Sequence, residues 1–331
     1  MNIQEALKGF TVCHCFYVGI KSGILGYFRG STDEGGISAQ SIAEALGMVP
    51  RRVQIWLDTA QAFGLLQYSD GQYWIADDQR PYLLDENDLR YQGELVQLFI
   101  DHLSTDMKLQ GEYLKTGQHY GFSDHDPEFV KLISKRGYVR SQTMIQHVIE
   151  PNDGIRALFQ RGRLICDIGC GPGAFIKGLC EKYPEPNYMG IDADKTSIEL
   201  AKESDFAAQV SFIHGDISEI HISEQIDLIT MVLILHEIDS SARANVLRTC
   251  HEQLSPDGRI VIMEFLYPEK ASEFNDSRFQ MGILDQYFEM LWGTEQLGWS
   301  IQSNLLKSAG FKNIERYFIE DTPYVVITAT K

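Results

Sequence analysis

The residues of this 331-residue chain that are best suited to chemistry stand where apolar runs end. Residues 164–173 read Leu-Ile-Cys-Asp-Ile-Gly-Cys-Gly-Pro-Gly, and a helical pattern begins near Ala174. The apolar run predicts a buried parallel strand, and Gly169, Gly171 and Gly173 predict the turn that joins it to the helix. Because these residues lack a Cβ, a ligand can lie against the backbone and accept bonds from N–H groups of the helix. This stretch therefore predicts a binding site for a nucleotide-like cofactor.

Two cofactors are compatible with the glycine turn. Gly169, Gly171 and Ala174 formally satisfy the dinucleotide fingerprint, which alone is a weak signal. Asp167, two residues before the first glycine, instead suits the cationic amino end of methionine. A pyrophosphate would gain nothing from this negative charge, because it is itself an anion. The turn contains Pro172, and about 160 residues precede it. Both features are unlike a dinucleotide-binding domain. We therefore expect S-adenosylmethionine to be the cofactor.

Further acids follow at the ends of later strands. The second predicted strand ends in Asp192, about 20 residues on, where a carboxylate can take the ribose hydroxyls. The third, residues 210–216, ends in Asp216, which can accept the adenine amino group while Ile217 packs on the ring. Residues 227–236 and 259–264 predict a fourth and a fifth strand, and the apolar fourth is expected to be buried on both faces.

The surrounding pattern predicts a two-domain chain with a helical connector. Residues 1–88 combine helices with a hairpin and resemble a winged helix-turn-helix domain. Residues 89–160 are a helical connector that can roof a pocket. Residues 161–331 alternate strands and helices and end in an antiparallel hairpin, an arrangement that resembles the Rossmann-like α/β sheet of class I methyltransferases.

Charge and composition narrow the function further. The formal charge is −17, and residues 31–90 carry ten acidic and four basic residues, so we expect no nucleic acid and no anionic membrane as partner. The apolar helix predicted over residues 10–28 favours a homodimer built through the N-terminal domain. No signal peptide and no run of about 18 apolar residues is recognisable. The cysteine pattern is typical of a reduced, cytoplasmic protein.

The order of these parts resembles the small-molecule O-methyltransferase family, which includes plant caffeic acid and bacterial polyketide O-methyltransferases. In that family the fourth strand ends in Leu-His-Asp-Trp-x-Asp, and residues 235–239 here read Leu-His-Glu-Ile-Asp. The resemblance implies a small-molecule methyl acceptor, with His236 as general base and Glu264 and Glu295 as the glutamates that orient it. It also implies the following cofactor-binding residues: Asp167, Gly169, Gly171, Gly173, Asp192, Ala193, Asp216, Ile217, Met231 and Val232.

Several alternatives stay open at the level of sequence. His236 is either catalytic or merely hydrogen-bonded. We expect no metal, but C-methylation of an α-keto acid could use one held by His236 and Glu237, with Asp285, Glu289 or Glu295 as third ligand. N-methylation is a further possibility. A cofactor-sensing transcription factor is the remote alternative, because the N-terminal domain resembles a DNA-binding fold but is acidic.

Overall fold

A computed structural model describes residues 2–31, 35–86, 88, 90–121 and 124–331. The chain divides into two compact units between Thr105 and Asp106. The domain boundaries expected at 88 and 160 stay predictions, and Leu89, at the first of them, lies outside the described residues.

The first unit is mainly helical. Its helices are α1 (Ile3–Lys21), α2 (Ile24–Tyr27), a 3₁₀ turn (Phe28–Gly30), α3 (Ala39–Leu46), α4 (Pro50–Ala62), α5 (Arg80–Leu83), α6 (Gly93–Gln97) and a π-helical segment (Leu98–Leu103). Strands β1 (Gln67–Ser69) and β2 (Gln72–Trp74) form the antiparallel hairpin that the sequence predicts. The single helix expected over residues 10–28 is interrupted, because Gly23 takes a left-handed conformation with φ of 79°.

The core of this unit lies among α1 to α4 and the hairpin, with Phe28, Ile42 and Leu57 fully buried. The first half of α1 takes no part in that core. Ile3, Leu7 and Phe10 follow one another at helical spacing and are 75%, 60% and 65% exposed. They form an apolar face on α1 that this unit leaves uncovered.

The second unit begins with helices. These are α7 (Ser104–Thr116), which starts at the division between the units, α8 (Pro127–Met144), a π-helical segment (Ile145–Ile149) and α9 (Asp153–Phe159). A sheet of seven strands follows: β3 (Leu164–Ile168), β4 (Asn187–Asp192), β5 (Val210–His214), β6 (Ile226–Val232), β7 (Leu254–Glu264), β8 (Lys312–Phe318) and β9 (Val325–Thr330). The remaining helices are α10 (Ala174–Lys182), α11 (Lys195–Glu203), α12 (Arg243–Gln253), α13 (Gln280–Trp292) and α14 (Trp299–Ala309).

The sheet has the order β5-β4-β3-β6-β7-β9-β8. Strands β3 to β7 pair in parallel, whereas β9 runs antiparallel to both β7 and β8. Apolar cores fill both of its faces, which explains why β3 and β6 are almost continuously apolar. The prediction of a Rossmann-like sheet with an antiparallel C-terminal hairpin is confirmed.

Two local predictions differ from the structure. Residues 255–258 read as a turn before the fifth strand, but they form an irregularity within β7, where the register with β6 shifts between Ile226 and Leu228. The fourth strand, expected to reach His236, ends at Val232, because Leu233 takes a left-handed conformation with φ of 57°. The chain therefore leaves the sheet before His236 and turns across its carboxyl edge.

No described helix is both long enough and apolar enough to cross a membrane.

Candidate active site

Two adjoining cavities open at the carboxyl ends of β3, β4 and β6. The larger has a volume of about 700 Å³ and the smaller about 300 Å³. Both are lined by Gly169, Asp192, Ala193, Ile234 and Glu237, so the two cavities adjoin. This is the edge of a parallel sheet at which ligands bind in α/β folds. We call the two together the donor cavity, after the methyl donor S-adenosylmethionine that the sequence predicts as cofactor.

The three glycines of the turn are required for different reasons. All three have positive φ, at 69° for Gly169, 52° for Gly171 and 85° for Gly173. A Cβ on Gly169 would lie 2.3 Å from the Ile234 side chain, and one on Gly173 would lie 2.8 Å from aromatic rings. A Cβ on Gly171 would meet nothing within 4 Å, and Gly171 lines the larger cavity. Gly171 is therefore the glycine that keeps space open for a ligand.

Asp167 is a buried acid at the end of β3. Only 3% of it is exposed, and it accepts a hydrogen bond of 2.6 Å from Thr230 Oγ1 on β6. Burial raises the pKa of Asp167 to about 7, despite the opposing effect of that bond. It lines the larger cavity and would gain from a cationic partner there.

Asp192 holds the glycine turn in place from the next strand. Its Oδ2 accepts a hydrogen bond of 2.7 Å from Gly171 N, and its Oδ1 accepts one of 2.8 Å from Asp194 N. Burial raises the pKa of Asp192, and these two bonds oppose that effect. Each carboxylate oxygen keeps a lone pair, so the predicted contact with ribose hydroxyls is compatible with this structural role.

The other predicted cofactor residues are distributed unevenly. Asp216 and Ile217 line the smaller cavity, Ala193 lines both, and Val232 lines the larger. Met231 is fully buried within the sheet and lines neither. The structure thus brings Ala193, Asp216, Ile217 and Val232 to the donor cavity and leaves Met231 behind it.

Arg140 is a cavity residue that the sequence analysis did not single out. It projects from α8 into the larger cavity, together with Gly137 and Ser141 of the same helix. Its Nε is buried and has no hydrogen-bond partner among the described residues, and no ion pair of its guanidinium is found there. An unpaired guanidinium inside a cavity is a ready binding group for a carboxylate.

Beside the donor cavity lies a buried cluster centred on His236. His236 is 3% exposed, and its Nδ1 lies 2.7 Å from Glu264 Oε2. Glu264 is fully buried, and its Oε1 also accepts a hydrogen bond of 2.8 Å from Leu235 N. The bond to Nδ1 leaves Nε2 as the ring nitrogen available for chemistry.

Two carboxylates stand opposite that Nε2. Glu289 Oε1 lies 3.8 Å away and Glu237 Oε1 lies 4.0 Å away. Burial lowers the pKa of His236, but the charge of Glu264, its hydrogen bond and the charge of Glu289 outweigh burial. Together they raise the pKa of His236 well above its usual value. The imidazole is thus strongly favoured in its charged form while both glutamates are ionised.

The structure does not bring Glu295 to His236 Nε2. The Glu295 side chain is 67% exposed and its carboxylate lies 3.9 Å from Arg243 Nη1, while its backbone N–H donates to the carbonyl oxygen of His236 at 3.4 Å. The carboxylates facing His236 from this part of the chain are instead Asp285 and Glu289, both on α13. As candidate metal ligands, His236, Asp285 and Glu289 offer atoms within 4.8 Å of one another.

Comparison with known proteins agrees with this geometry. The profile of a family described as the O-methyltransferase domain matches residues 104–312. A malonyl-[acyl-carrier protein] O-methyltransferase of Priestia megaterium is 30% identical over 128 residues, which are 38% of this chain and 46% of that protein. A 3-amino-4-hydroxybenzoate 4-O-methyltransferase of Streptomyces cremeus is 26% identical over 186 residues, 55% of this chain and 48% of that protein. The chain spans about half the length of these curated relatives.

A solved structure described as PigF with SAH has the same fold. It superposes with a TM-score of 0.78 at 18% identity, and the match covers 100% of both chains. This likeness concerns the fold, whereas the family match concerns the kind of protein. The predictions of a methyltransferase and of S-adenosylmethionine as its cofactor are confirmed at the level of the family.

Asp167 makes donor binding dependent on pH. Because the pKa of Asp167 is raised to about 7, its carboxyl is largely protonated below that pH, and only the ionised form pairs with an ammonium group. We expect the affinity for S-adenosylhomocysteine to rise between pH 5.5 and 7, by up to about tenfold per unit, and to level off above it. Calorimetric titration at a series of pH values measures this.

The matched control is Asp167→Asn, which keeps the shape and removes the charge. Its affinity is expected to be lower at neutral pH and to change little over the same range. An equally steep pH dependence in Asp167→Asn would contradict the assignment of the effect to this carboxyl.

Proposed function

The chain belongs to the O-methyltransferase domain family, and from that membership we propose that it transfers a methyl group from S-adenosylmethionine to a hydroxyl oxygen of a small molecule. One observation carries the proposal. The acids at consecutive strand ends, Asp167, Asp192 and Asp216, line one donor cavity, and the buried His236 cluster adjoins it through Glu237. A donor in the cavity would thus hold its methyl group near a site of proton transfer.

Each part of the donor has a suitable partner in the cavity. Asp167 would pair with the ammonium group, and the unpaired Arg140 with the carboxylate of the same amino acid end. Asp192, which accepts a hydrogen bond from Gly171 N, would also accept hydrogen bonds from the ribose hydroxyls. Asp216 and Ile217 would hold the adenine in the smaller cavity. Gly171 would lie against the ligand without a side chain in its way.

Proton removal falls to the His236 cluster. A phenol has a pKa of about 10, so it must lose its proton as its oxygen attacks the methyl carbon. His236 Nε2 is the free ring nitrogen, Glu264 fixes the ring from the other side, and Glu289 stands opposite. In its neutral form the ring is a strong base, because its carboxylates stabilise the imidazolium that results when Nε2 takes the proton.

The cluster also favours a second candidate, transfer to carbon. An α-keto acid must form an enolate before its carbon accepts a methyl group, and a cation at that oxygen would help it do so. His236, Asp285 and Glu289 offer the ligand atoms for such a cation. The O-methylation proposal differs from this candidate in needing no enolisable acceptor.

Donor binding is the first test of the proposed function. Calorimetry is expected to show that the chain binds S-adenosylmethionine and S-adenosylhomocysteine but not NAD. Gly171→Val places a side chain in the open cavity, so this variant is expected to lose donor binding while keeping a cooperative thermal transition. A labelled methyl donor offered with phenols, keto acids and amines then identifies the acceptor. Tight binding of NAD with no response to either adenosyl compound would overturn the proposal.

His236 tests the site of proton transfer. His236→Ala is expected to lower turnover of the acceptor by roughly 10²–10⁴-fold, the usual contribution of such a group. Affinity for S-adenosylhomocysteine should stay unchanged, because the donor cavity is built from other residues. Single-turnover transfer of a labelled methyl group measures the first effect and calorimetry the second.

The matched control is His251→Ala. His251 packs edge-on against Phe311, away from the donor cavity, so its loss should leave turnover near wild type. Normal turnover of His236→Ala would show that positioning alone drives the reaction.

We further propose a homodimer built through the N-terminal unit. The apolar face of α1, formed by Ile3, Leu7 and Phe10, is what supports it, because an exposed apolar stripe of this kind marks an association surface. Light scattering is expected to give twice the chain mass of 37.6 kDa at micromolar concentration. Leu7→Lys with Phe10→Glu should shift the protein to the monomer, whereas a wild-type monomer would exclude this dimer.

We propose a cytoplasmic location as well. All six cysteines are free thiols, and Cys15, Cys166, Cys170 and Cys250 are buried. Unpaired cysteines in this number are typical of a reducing compartment. Thiol titration of the freshly purified, unfolded chain gives six reactive groups if the proposal holds.

A further inference from the structure

Asp106 on α7 is a buried carboxylate that the site described above does not use. Its side chain is 8% exposed, and its Oδ2 lies 2.9 Å from Nε2 of His125, whose side chain is 4% exposed. The same oxygen accepts a hydrogen bond of 3.3 Å from Nε1 of Trp292, the last residue of α13. A carboxylate removed from water needs such partners. Asp106 thus joins three separate parts of the second unit.

Aromatic rings enclose this contact. The His125 ring stacks on the Phe129 ring with the centroids 3.8 Å apart, and it meets the Trp292 ring edge-on at 5.5 Å. Phe129 is fully buried and meets Trp292 edge-on at 5.7 Å. Because rings packed in this way leave little room for rotation, the hydrogen bond to Asp106 fixes the indole of Trp292 in one orientation.

The backbone at the same end of α13 is also held. Tyr120 N donates to the carbonyl oxygen of Leu291 at 2.7 Å. Gln110 Nε2, on α7, donates to the carbonyl oxygen of Tyr287 at 2.9 Å. The Leu291 carbonyl is one of those at a helix end that have no partner within the helix, so the bond from Tyr120 satisfies it. The last turn of α13 is therefore held both by α7 and by the segment that precedes α8.

Trp292 shares one face of α13 with carboxylates of the His236 cluster. Asp285, Glu289 and Trp292 follow one another at spacings of four and three residues, which places them on the same side of the helix. Glu289 lies one turn before Trp292, and its Oε1 is 3.8 Å from His236 Nε2. A rotation of α13 that displaced the indole would therefore also displace the Glu289 carboxylate relative to His236.

We propose that Asp106 is a positioning residue for methyl transfer. By holding Trp292 it fixes the rotation of α13 and keeps the Glu289 carboxylate opposite His236, while His125 orients the Asp106 carboxylate. This inference rests on the proposed function, because the place of Glu289 matters to the reaction only if His236 takes the proton of the acceptor. A displacement of about 1 Å at a reacting group can cost about 10²-fold in rate, so a contact remote from the chemistry can still govern it.

Two substitutions remove the contact in different ways. Trp292→Phe keeps an aromatic ring and removes the N–H group, whereas Asp106→Ala removes the acceptor oxygen. With the phenol that best accepts a labelled methyl group, each variant is expected to lower kcat by roughly 10–100-fold. The KM for that phenol should change by less than about threefold, because the loss falls on the transition state. The affinity for S-adenosylhomocysteine in calorimetry should stay at the wild-type value, since neither residue lines the donor cavity.

The matched control is Asp124→Asn. Asp124 is an exposed acid next to His125, and its carboxylate accepts a hydrogen bond of 2.8 Å from Gly121 N within the same segment. This variant should keep the wild-type kcat.

A double-mutant cycle separates positioning from a general loss of stability. In a Glu289→Gln background, adding Trp292→Phe should lower kcat by less than about threefold, because the group that Trp292 helps to place is already altered. Hydrogen exchange, read by mass spectrometry, tests the anchor without any acceptor. Peptides from α13 should exchange faster in Trp292→Phe and Asp106→Ala than in the wild type, whereas peptides from residues 164–175 should exchange equally.

Three results would overturn the positioning role. They are a wild-type kcat in Trp292→Phe, an equal loss in the wild-type and Glu289→Gln backgrounds, and unchanged hydrogen exchange in α13. If Asp106→Ala fails to fold, Trp292→Phe decides alone. A wild-type protein that binds no S-adenosylhomocysteine, or that methylates none of the phenols, shows instead that the proposed function is wrong.

Discussion

Buried carboxylates at the carboxyl edge of the sheet impose the constraint on which this site depends. A carboxylate removed from water needs donors or a cation, and each of those described here meets that need in a different way. Asp192 takes backbone N–H groups and so fixes the glycine turn, while Glu264 takes Leu235 N and the ring of His236. Among the described residues, Asp167 accepts a side-chain hydrogen bond only from the Thr230 hydroxyl, so a cationic ligand would stabilise its ionised form.

Glu264 links the end of β7 to the segment that follows β6. Because Leu233 turns the chain out of the sheet, His236 is placed by hydrogen bonds rather than by strand pairing. Glu264 holds its backbone and ring, and Arg243 Nη2 donates to its carbonyl oxygen at 2.9 Å. The Cα position and the ring orientation of His236 are thereby fixed from independent directions, which is the precision that a reacting group requires.

The sequence was most informative about acidic residues that directly follow a strand. Acids directly after apolar runs meet at one sheet edge by topology alone, so Asp167, Asp192 and Asp216 could be placed without any distance information. Helical residues gave no such guide. Arg140 was not singled out from the sequence, and Glu289 was one of three residues offered as a third metal ligand. The available signal was Asp285 and Glu289 at a spacing of four on an apolar helix, which puts two carboxylates on one face. The position of Glu295 could not be judged from the sequence, because a loop after a helix carries no periodicity that indicates the direction of a side chain.

The donor cavity has a consequence for how the reaction ends. In the proposed binding mode its residues contact the ammonium, carboxylate, ribose and adenine groups, and none of these groups changes when the methyl group leaves. A pocket that contacts only these unchanged groups would bind S-adenosylhomocysteine with an affinity similar to that for S-adenosylmethionine. Product inhibition by S-adenosylhomocysteine therefore follows from the proposed binding mode, and sustained turnover would depend on the removal of this product.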